Sequence, residues 1–502
     1  MAAADPFSSR SAGRMRRAAE AAPGLARIDR PVHPGAAGEG EGSVDGYADE
    51  RFPLAYVRTR PDAAVPGRAP VVIVPGGPGL ASVYPYAALR EKTKGRGLDI
   101  VMVEHRGVGL SRRLASGREG EPGEGLPLTA MRIAAVVDDL RAVLDAEGIE
   151  KAVIAGSSYG TYVAQAFAHV HPERTAGLVL DSAMAGAGNL AGVSWATALL
   201  YDGTAGDAAH RRLAHKIREL AAEAHSADLH RADSRSADSL SGRPQAPGAL
   251  LRLGRAVRIV YEFGGPELLD AFLNQSRLGA DRLVSALLRK VGEGDTSAPL
   301  PYWMEFDRVG EIAFRELDYA GAGEAGAAGE AGAAGEAGGA EQDGRPTAAE
   351  AAPASPRDLF SRVADFAEVA RGFSPFAGEP YDLVAALPDL GVPLLALSGD
   401  RDLRTPRPVA RQIAEAAPHG VLLEVPAHGH SALDTHHAVL LAALEAAADG
   451  KAGSLGVPAG SHRHRRWEGA GGGGGPSAAL GPILTLTLAL DRVLPRRRAR
   501  SQ

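Results

Sequence analysis

Short, uninterrupted aliphatic runs recur along the chain, each ended by turn formers. They are Pro70-Val-Val-Ile-Val74 before Pro75-Gly-Gly-Pro-Gly79, Ile100-Val-Met-Val103 before Glu104-His-Arg-Gly107, Ala152-Val-Ile-Ala155 before Gly156-Ser-Ser-Tyr-Gly160, Leu178-Val-Leu180 before Asp181, and Leu394-Leu-Ala-Leu397 before Ser398-Gly399. Runs this short and this apolar predict strands buried on both faces. Between them the apolar residues recur at helical spacing. From Thr129 on, Ile133, Val136, Val137, Leu140, Val143 and Leu144 share one face, and Gly148 stops the helix. Further helices are expected from Tyr162 to Ala168, from Pro408 to Ala417 and from Thr435 to Ala448, with a strand at Val421 to Val425. Strands alternating with helices predict an α/β architecture with a doubly wound, mostly parallel sheet. Ligands of such sheets bind at the carboxyl ends of the strands, where these glycine-rich loops fall.

The rhythm breaks in three places, and the breaks divide the chain. Residues 1–50 are rich in Ala, Gly, Arg and Glu without sustained periodicity and are expected to be irregular. The sheet domain starts within 51–182, beginning with an edge-strand pattern from Phe52, and resumes over 380–449. Between them, 183–379 reads as an inserted helical cap, with amphipathic pieces at Ala208 to Ala222 and Ala249 to Phe263. It holds a low-complexity insertion at 321–345 whose GEAGAA-like units carry no large apolar residue to bury. Residues 450–502 form a C-terminal extension. There, Ile483 to Leu490 alternates with period two and predicts one or two added strands, ahead of a basic tail, Arg496 to Arg500, read as a solvated end.

Composition narrows the chemistry. The 502 residues include no cysteine, which removes disulfides, thiolate metal sites and cysteine nucleophiles. A net charge of -6 gives no whole-protein reason to expect nucleic acid or a membrane as partner. No run approaches the ~18 apolar residues of a membrane span, so a cytoplasmic protein is expected. No metal or organic cofactor is suggested.

The candidate chemistry centres on Gly156-Ser-Ser-Tyr-Gly160, a strand turning sharply into a helix with the form Gly-x-Ser-x-Gly. This makes Ser158 the candidate nucleophile, because Ser157 lacks flanking glycines in register. In a chain with 63 glycines such a pattern also arises by chance, so its partners matter. A serine hydroxyl needs a histidine base, and the base a carboxylate. In the chain order expected of this turn, Asp402 follows a late strand and His430 follows the last one. Asp400 is the local rival for the acid and Asp181 the remote one. A capping or salt-bridging aspartate is the plainer reading of Asp402. His428, His436 and His437 compete for the base. The last two are expected to face solvent, whereas His430, between Gly429 and Ser431, has a freer ring. An oxyanion hole needs two backbone N–H groups, expected from Tyr159 and from Gly77 in the glycine loop.

Pro75-Gly-Gly-Pro-Gly79, Glu104-His-Arg-Gly-Val-Gly-Leu-Ser111, Gly156-Ser-Ser-Tyr-Gly160, Gly399-Asp-Arg-Asp-Leu-Arg-Thr-Pro406 and Gly429-His-Ser431 together resemble the proline iminopeptidase and tripeptidyl aminopeptidase branch of the α/β-hydrolases. The likeness covers about residues 52 to 182 and 380 to 448 and leaves the cap unmatched. Two positions depart from the branch: Pro75 stands where its glycine loop usually opens with histidine, and Glu104 where aspartate is common. The resemblance implies the α/β-hydrolase fold, Asp402 rather than Asp400 as the acid, and cap carboxylates that hold the free amino group of a peptide. Glu262, Glu305, Glu311 and Glu316 lie in the cap segments where such a carboxylate would fall, and the plainer reading of each is an ordinary surface glutamate. The expected function is a serine aminopeptidase releasing N-terminal proline or short peptide units. The alternatives are a carboxylesterase acting on small esters with the same triad, and a non-catalytic binding protein, whose signature would be a missing triad member. The partner expected in either enzyme is a peptide or small-molecule substrate.

Overall fold

The structure is a computed structural model. It describes residues 9–34, 47, 49–115, 125–187, 190–235, 248–279, 281–294, 299–321, 353–458, 463–469 and 477–493. The low-complexity insertion beyond Gly321 and the basic tail lie outside these residues.

The strands are β1 (Leu25–Pro31), β2 (Arg51–Thr59), β3 (Val71–Val74), β4 (Ile100–Val103), β5 (Ala152–Ser157), β6 (Thr175–Asp181), β7 (Leu394–Gly399), β8 (Gly420–Val425), β9 (Val457–Pro458) and β10 (His464–Arg466). They form one sheet of ten strands in the order β1-β2-β4-β3-β5-β6-β7-β8-β10-β9. From β4 to β10 neighbouring strands are parallel, and antiparallel pairings occur only at the two ends. The central strands are buried on both faces because successive residues serve opposite cores. Val72, Val74, Ile154, Leu180, Leu394 and Ala396 belong to one apolar cluster. Val71, Ile73, Val153, Ala155, Leu395 and Leu397 belong to the other.

The helices are α1 (Arg10–Glu20), α2 (Ala87–Lys94), α3 (Ile133–Ala146), α4 (Tyr159–Val170), α5 (Ala208–Arg235), α6 (Ala249–Arg277), α7 (Arg282–Gly294), α8 (Phe306–Arg315), α9 (Arg407–Ala416), α10 (His437–Ala448) and α11 (Leu480–Val493), with shorter helical turns between them. α3, α4 and α9 pack on the first face through Ile133, Leu140, Val163, Phe167 and Ile413. α2 and α10 cover the second through Leu89, Val439, Leu440 and Leu444. One buried ion pair ties the loop after β4 to α3. Arg106, whose side chain is 0% exposed, meets Asp139 through two bonds of 2.8 and 2.9 Å. It also donates to the carbonyls of Val32 and Ala130.

Between β6 and β7 the chain leaves the sheet. α5, α6 and α7 bury a third cluster that includes Leu213, Ile217, Val257, Leu273 and Leu288. α6 is interrupted at Gly265, which takes φ 75 just ahead of Pro266. Among the described residues, no helix is long and apolar enough to cross a membrane.

Three sequence expectations are corrected. Residues 1–50 are not uniformly irregular: α1 is capped by Ser9, and β1 pairs antiparallel with β2 from Leu25↔Val57 to Pro31↔Arg51. β1 carries Arg27, Asp29 and Arg30, charges that suit an outermost strand and dilute its apolar signal. In consequence β2 is not the edge.

The third correction is the run Ile483 to Leu490, which is helical within α11, so the added strands come from β9 and β10 instead. Its leucines satisfy two periods at once, and packing chooses the helical one. Leu484 and Leu488 are buried in the third cluster, whereas Leu486, between them, is 62% exposed. Thr485 and Thr487, which favour strands, donate their hydroxyls to the carbonyls of Gly481 and Ile483 one turn back. Asp491 accepts the N–H groups of Leu283 and Val284 at the start of α7.

A strand would bury Leu484, Leu486 and Leu488 alike; the helix separates them. Leu488→Ala should destabilise the α6–α11 packing by about 2–4 kcal/mol. Leu486→Ala should cost less than about 0.5 kcal/mol. Amide hydrogen exchange of α6 and α11 reads the difference, and equal losses would contradict the helix.

Candidate active site

β5 runs into α4 through Ser158, which sits at φ 52 and ψ -119, backbone that side-chain-bearing residues rarely occupy. Its N–H donates to the Asp181 carbonyl at 2.9 Å, and its own carbonyl accepts from Thr161 N. The flanking glycines are required by space. A Cβ on Gly156 would lie 2.0 Å from the Gly160 carbonyl oxygen, and one on Gly160 would lie 2.1 Å from that of Val74. The turn is therefore wedged against the strand that feeds the glycine loop.

That loop, Pro75 to Gly79, follows β3. Gly77 takes φ 114, and the Gly76 Cα faces the Ser158 Cβ closely enough that an added Cβ would sit 3.2 Å from it. The N–H groups of Gly77 and Tyr159 donate to no acceptor among the described residues. The Tyr159 side chain is buried, and its hydroxyl lies 2.9 Å from His105 Nε2. His105 Nδ1 lies 2.6 Å from the Arg106 carbonyl, which can only accept, so Nδ1 carries the proton and Nε2 accepts from the tyrosine. Burial pushes the His105 pKa down to about 4 and keeps the ring neutral.

Asp402 and His430 are brought together. His430 Nδ1 lies 3.1 Å from each carboxylate oxygen of Asp402. The carboxylate also receives the N–H groups of Arg404 and Thr405, both at 2.9 Å, and the Thr405 hydroxyl at 2.8 Å. Burial alone would raise the Asp402 pKa. The His430 charge and hydrogen bond, with the two Thr405 donors, outweigh it and bring the pKa down to about 2. Burial likewise pushes the His430 pKa down, but Asp402 wins and the net shift is upward.

Ser158 is joined to this pair through its neighbours. The Ser157 hydroxyl lies 2.8 Å from that of Ser431, so residues directly beside Ser158 and His430 touch. No hydrogen bond links Ser158 Oγ with His430 Nε2 in this structure. Catalytic hydrogen bonds of this kind are commonly long before substrate binds.

The rivals are occupied elsewhere. Asp400 accepts the His428 N–H at 3.2 Å. Asp181 accepts from Ala432 N, Leu433 N and the Ser157 hydroxyl, each at 2.9 Å. Burial raises its pKa to about 6 against those donors. His428 packs its ring on His436, and burial lowers its pKa to about 4. His436 and His437 do not face solvent. Both are buried, His436 capping α10 at Val439 N and His437 near the Leu433 carbonyl, because the helix start they occupy is packed between Lys92 and the His430 loop.

The four cap glutamates are all buried, not on the surface. Glu305 is tied by Gly109 N and Tyr302 N, Glu311 by Ser374 N, and Glu316 by Ile133 N. Glu262, on α6, accepts from Leu403 N, yet its other oxygen has no hydrogen bond and faces the Arg404 guanidinium at 3.4 Å. The Glu262 carbonyl lies against Gly429, so α6 touches both the acid loop and the histidine loop. Two functional-site neighbours were missed in the sequence. Thr405 was signalled only by its place three residues after Asp402, a spacing that favours side-chain turns. The sequence offers Asp181 only as a rival acid.

A family model described as alpha/beta hydrolase fold matches residues 69–437. Epoxide hydrolase B of Mycobacterium tuberculosis is 35% identical over 85 residues, which are 17% of this chain and 21% of that protein. The chain thus spans about a fifth of the length of the curated relatives it matches. Among solved structures, a proline iminopeptidase of Mycobacterium smegmatis aligns over 84% of this chain and 99% of that one, with 14% identity and a TM-score of 0.44. An esterase from Thermogutta terrifontis aligns over 84% of this chain and 93% of that one, with 17% identity and a TM-score of 0.32. Likenesses this distant carry no argument about activity.

The wedged turn makes a clean comparison of two glycines. Gly160→Ala, which drives a methyl into the Val74 and Pro75 carbonyls, should destabilise the protein by about 2–3 kcal/mol. Gly95→Ala, at φ -68 with nothing within 4 Å of its added methyl, should be neutral or slightly stabilising. Thermal melting of the two variants checks the pair.

Proposed function

The chain belongs to the alpha/beta hydrolase fold family, and on that premise we propose that it is a serine hydrolase working through an acyl-enzyme. The observation that carries the reading is the buried Asp402–His430 pair, held at 3.1 Å beside a serine at a strained turn. In this reading His430 Nε2 takes the Ser158 proton as Oγ attacks the substrate carbonyl. The resulting oxyanion rests on the N–H groups of Gly77 and Tyr159. Collapse of the tetrahedral centre breaks the bond to the leaving group, which receives the proton from His430. Water then attacks the ester by the same route, with His430 again as base, and releases the acid and Ser158. Asp402 holds the proton-bearing Nδ1 and steadies the imidazolium.

Within that class we propose an aminopeptidase that removes proline or a short peptide unit from the N-terminus of a peptide. The motif resemblance supports it, and so does Glu262. Of the four cap glutamates it alone keeps a buried oxygen without a hydrogen-bond partner among the described residues; that oxygen faces the Arg404 guanidinium at 3.4 Å, against the loops of Asp402 and His430, where a substrate ammonium would compete with the guanidinium. The second reading is a carboxylesterase. It is favoured by the other three glutamates, whose carboxylates are engaged by backbone N–H groups.

Ser158→Ala should lower hydrolysis by on the order of 10⁶-fold. A panel of aminoacyl and prolyl amides beside short uncharged esters separates the two readings. Glu262→Gln should raise KM for the amides and leave the esters unchanged if the aminopeptidase reading holds; ester turnover alone in the wild-type protein would favour the esterase.

The pH profile supplies a further test. His430 must be neutral to accept a proton and its pKa is raised, so kcat/KM should climb with pH through a value above the ordinary imidazole 6.5. Asp402→Asn removes the influence that raises it and leaves burial acting downward. The acid limb should then move to lower pH while kcat falls by on the order of 10⁴-fold. An unmoved limb would show that His430 is not the titrating base.

A further inference from the structure

The glycine loop packs against the serine turn on one side, through Gly76 and Ser158. It also lies against a narrow cavity, lined in part by Pro75, Gly76, Gly79, Leu80, His105 and Tyr159. Its far end is fastened where Glu305 N donates to the Gly79 carbonyl at 2.9 Å and Ala81 N to that of Trp303 at 3.0 Å. Between β3 and that anchor stands Gly77, with no side chain to wedge it. The one hydrogen bond its carbonyl accepts among the described residues comes from the hydroxyl of Tyr319, at 3.3 Å.

We infer that Tyr319 is a positioning residue for the oxyanion loop: its hydroxyl, carried on the cap segment, holds the Gly77 carbonyl and so aims the N–H of the same residue. The inference rests on the reading of Gly77 as an oxyanion donor. A carbonyl can only accept, so the phenol must be the donor, and burial keeps it protonated by raising its pKa to about 12. Tyr319 is itself well fixed. Its N–H donates to the Ala313 carbonyl at 2.9 Å, and the residue is 9% exposed. The Arg362 guanidinium lies 5.0 Å over the ring, and the Phe366 ring stands 6.4 Å away. The hydroxyl also approaches Met184 Sδ at 3.7 Å. The chain thus places a rigid donor from the inserted segment on the residue whose orientation decides how well negative charge is received.

The test is Tyr319→Phe, which keeps the ring and its contacts and removes only the hydroxyl. A fluorophosphonate reacts at a nucleophilic serine through a centre whose oxygen occupies the oxyanion hole. Its labelling rate should fall about tenfold, less than the 10²–10³ lost when a direct donor is removed. In steady-state hydrolysis kcat should fall by a similar factor with KM within twofold, and the melting temperature should stay unchanged. A labelling rate within twofold of wild type, or a loss confined to KM, overturns the inference and leaves the reading of Ser158 standing. A wild-type protein that the probe does not label, or labelling that survives in Ser158→Ala, overturns both.

Discussion

A buried carboxylate with no part in proton transfer holds the candidate site together. Asp181, at the end of β6, gathers the Ser157 hydroxyl from the end of β5 and the Ala432 and Leu433 N–H groups from the segment after β8. Next to it, the Ser182 hydroxyl accepts the Ser431 N–H at 2.9 Å. β5, β6, β7 and β8 lie side by side and parallel, so their carboxyl-end loops all emerge along one edge. Parallel pairing alone brings those loops near one another; the Asp181 bonds bring the serine turn and the histidine loop into contact.

Two buried aspartates at that edge behave oppositely, and the difference follows from their partners. Both accept three or more donors. Asp402 also faces an imidazole that can carry charge, and its pKa falls to about 2. Asp181 is hydrogen-bonded only by hydroxyl and amide donors, with the His430 charge acting from further off; burial prevails, and its pKa rises to about 6. An anion beside His430 suits a base that must become cationic in mid-reaction. An aspartate held among neutral donors suits a fastening.

The sheet was legible because parallel strands buried on both faces must be nearly continuous aliphatic runs, and β3, β4, β5 and β7 are such runs. The serine turn was legible because two glycines are sterically compulsory there. α1 and β1 were obscured by their own arginines and acids. α11 was misread because leucines at every second position are also leucines at every fourth, and only the surface it packs against decides between them. The burial of His436 and His437 and the grip of Tyr319 on Gly77 depend on elements far apart in the chain, which no local pattern records. The same holds for α6: its break at Gly265 lets an added Cβ come within 2.5 Å of the Arg401 guanidinium, so a helix with no motif becomes a wall of the acid loop.

The central claim is that Ser158, His430 and Asp402 act as one unit beside the Gly77 and Tyr159 N–H groups. A crystal structure of the phosphonylated protein tests it most directly. The account predicts a covalent bond to Ser158 Oγ, a phosphoryl oxygen within hydrogen-bonding distance of both N–H groups, and His430 turned toward the adduct. An adduct on Ser157 or on a serine elsewhere, or a phosphoryl oxygen pointing away from both donors, would contradict it.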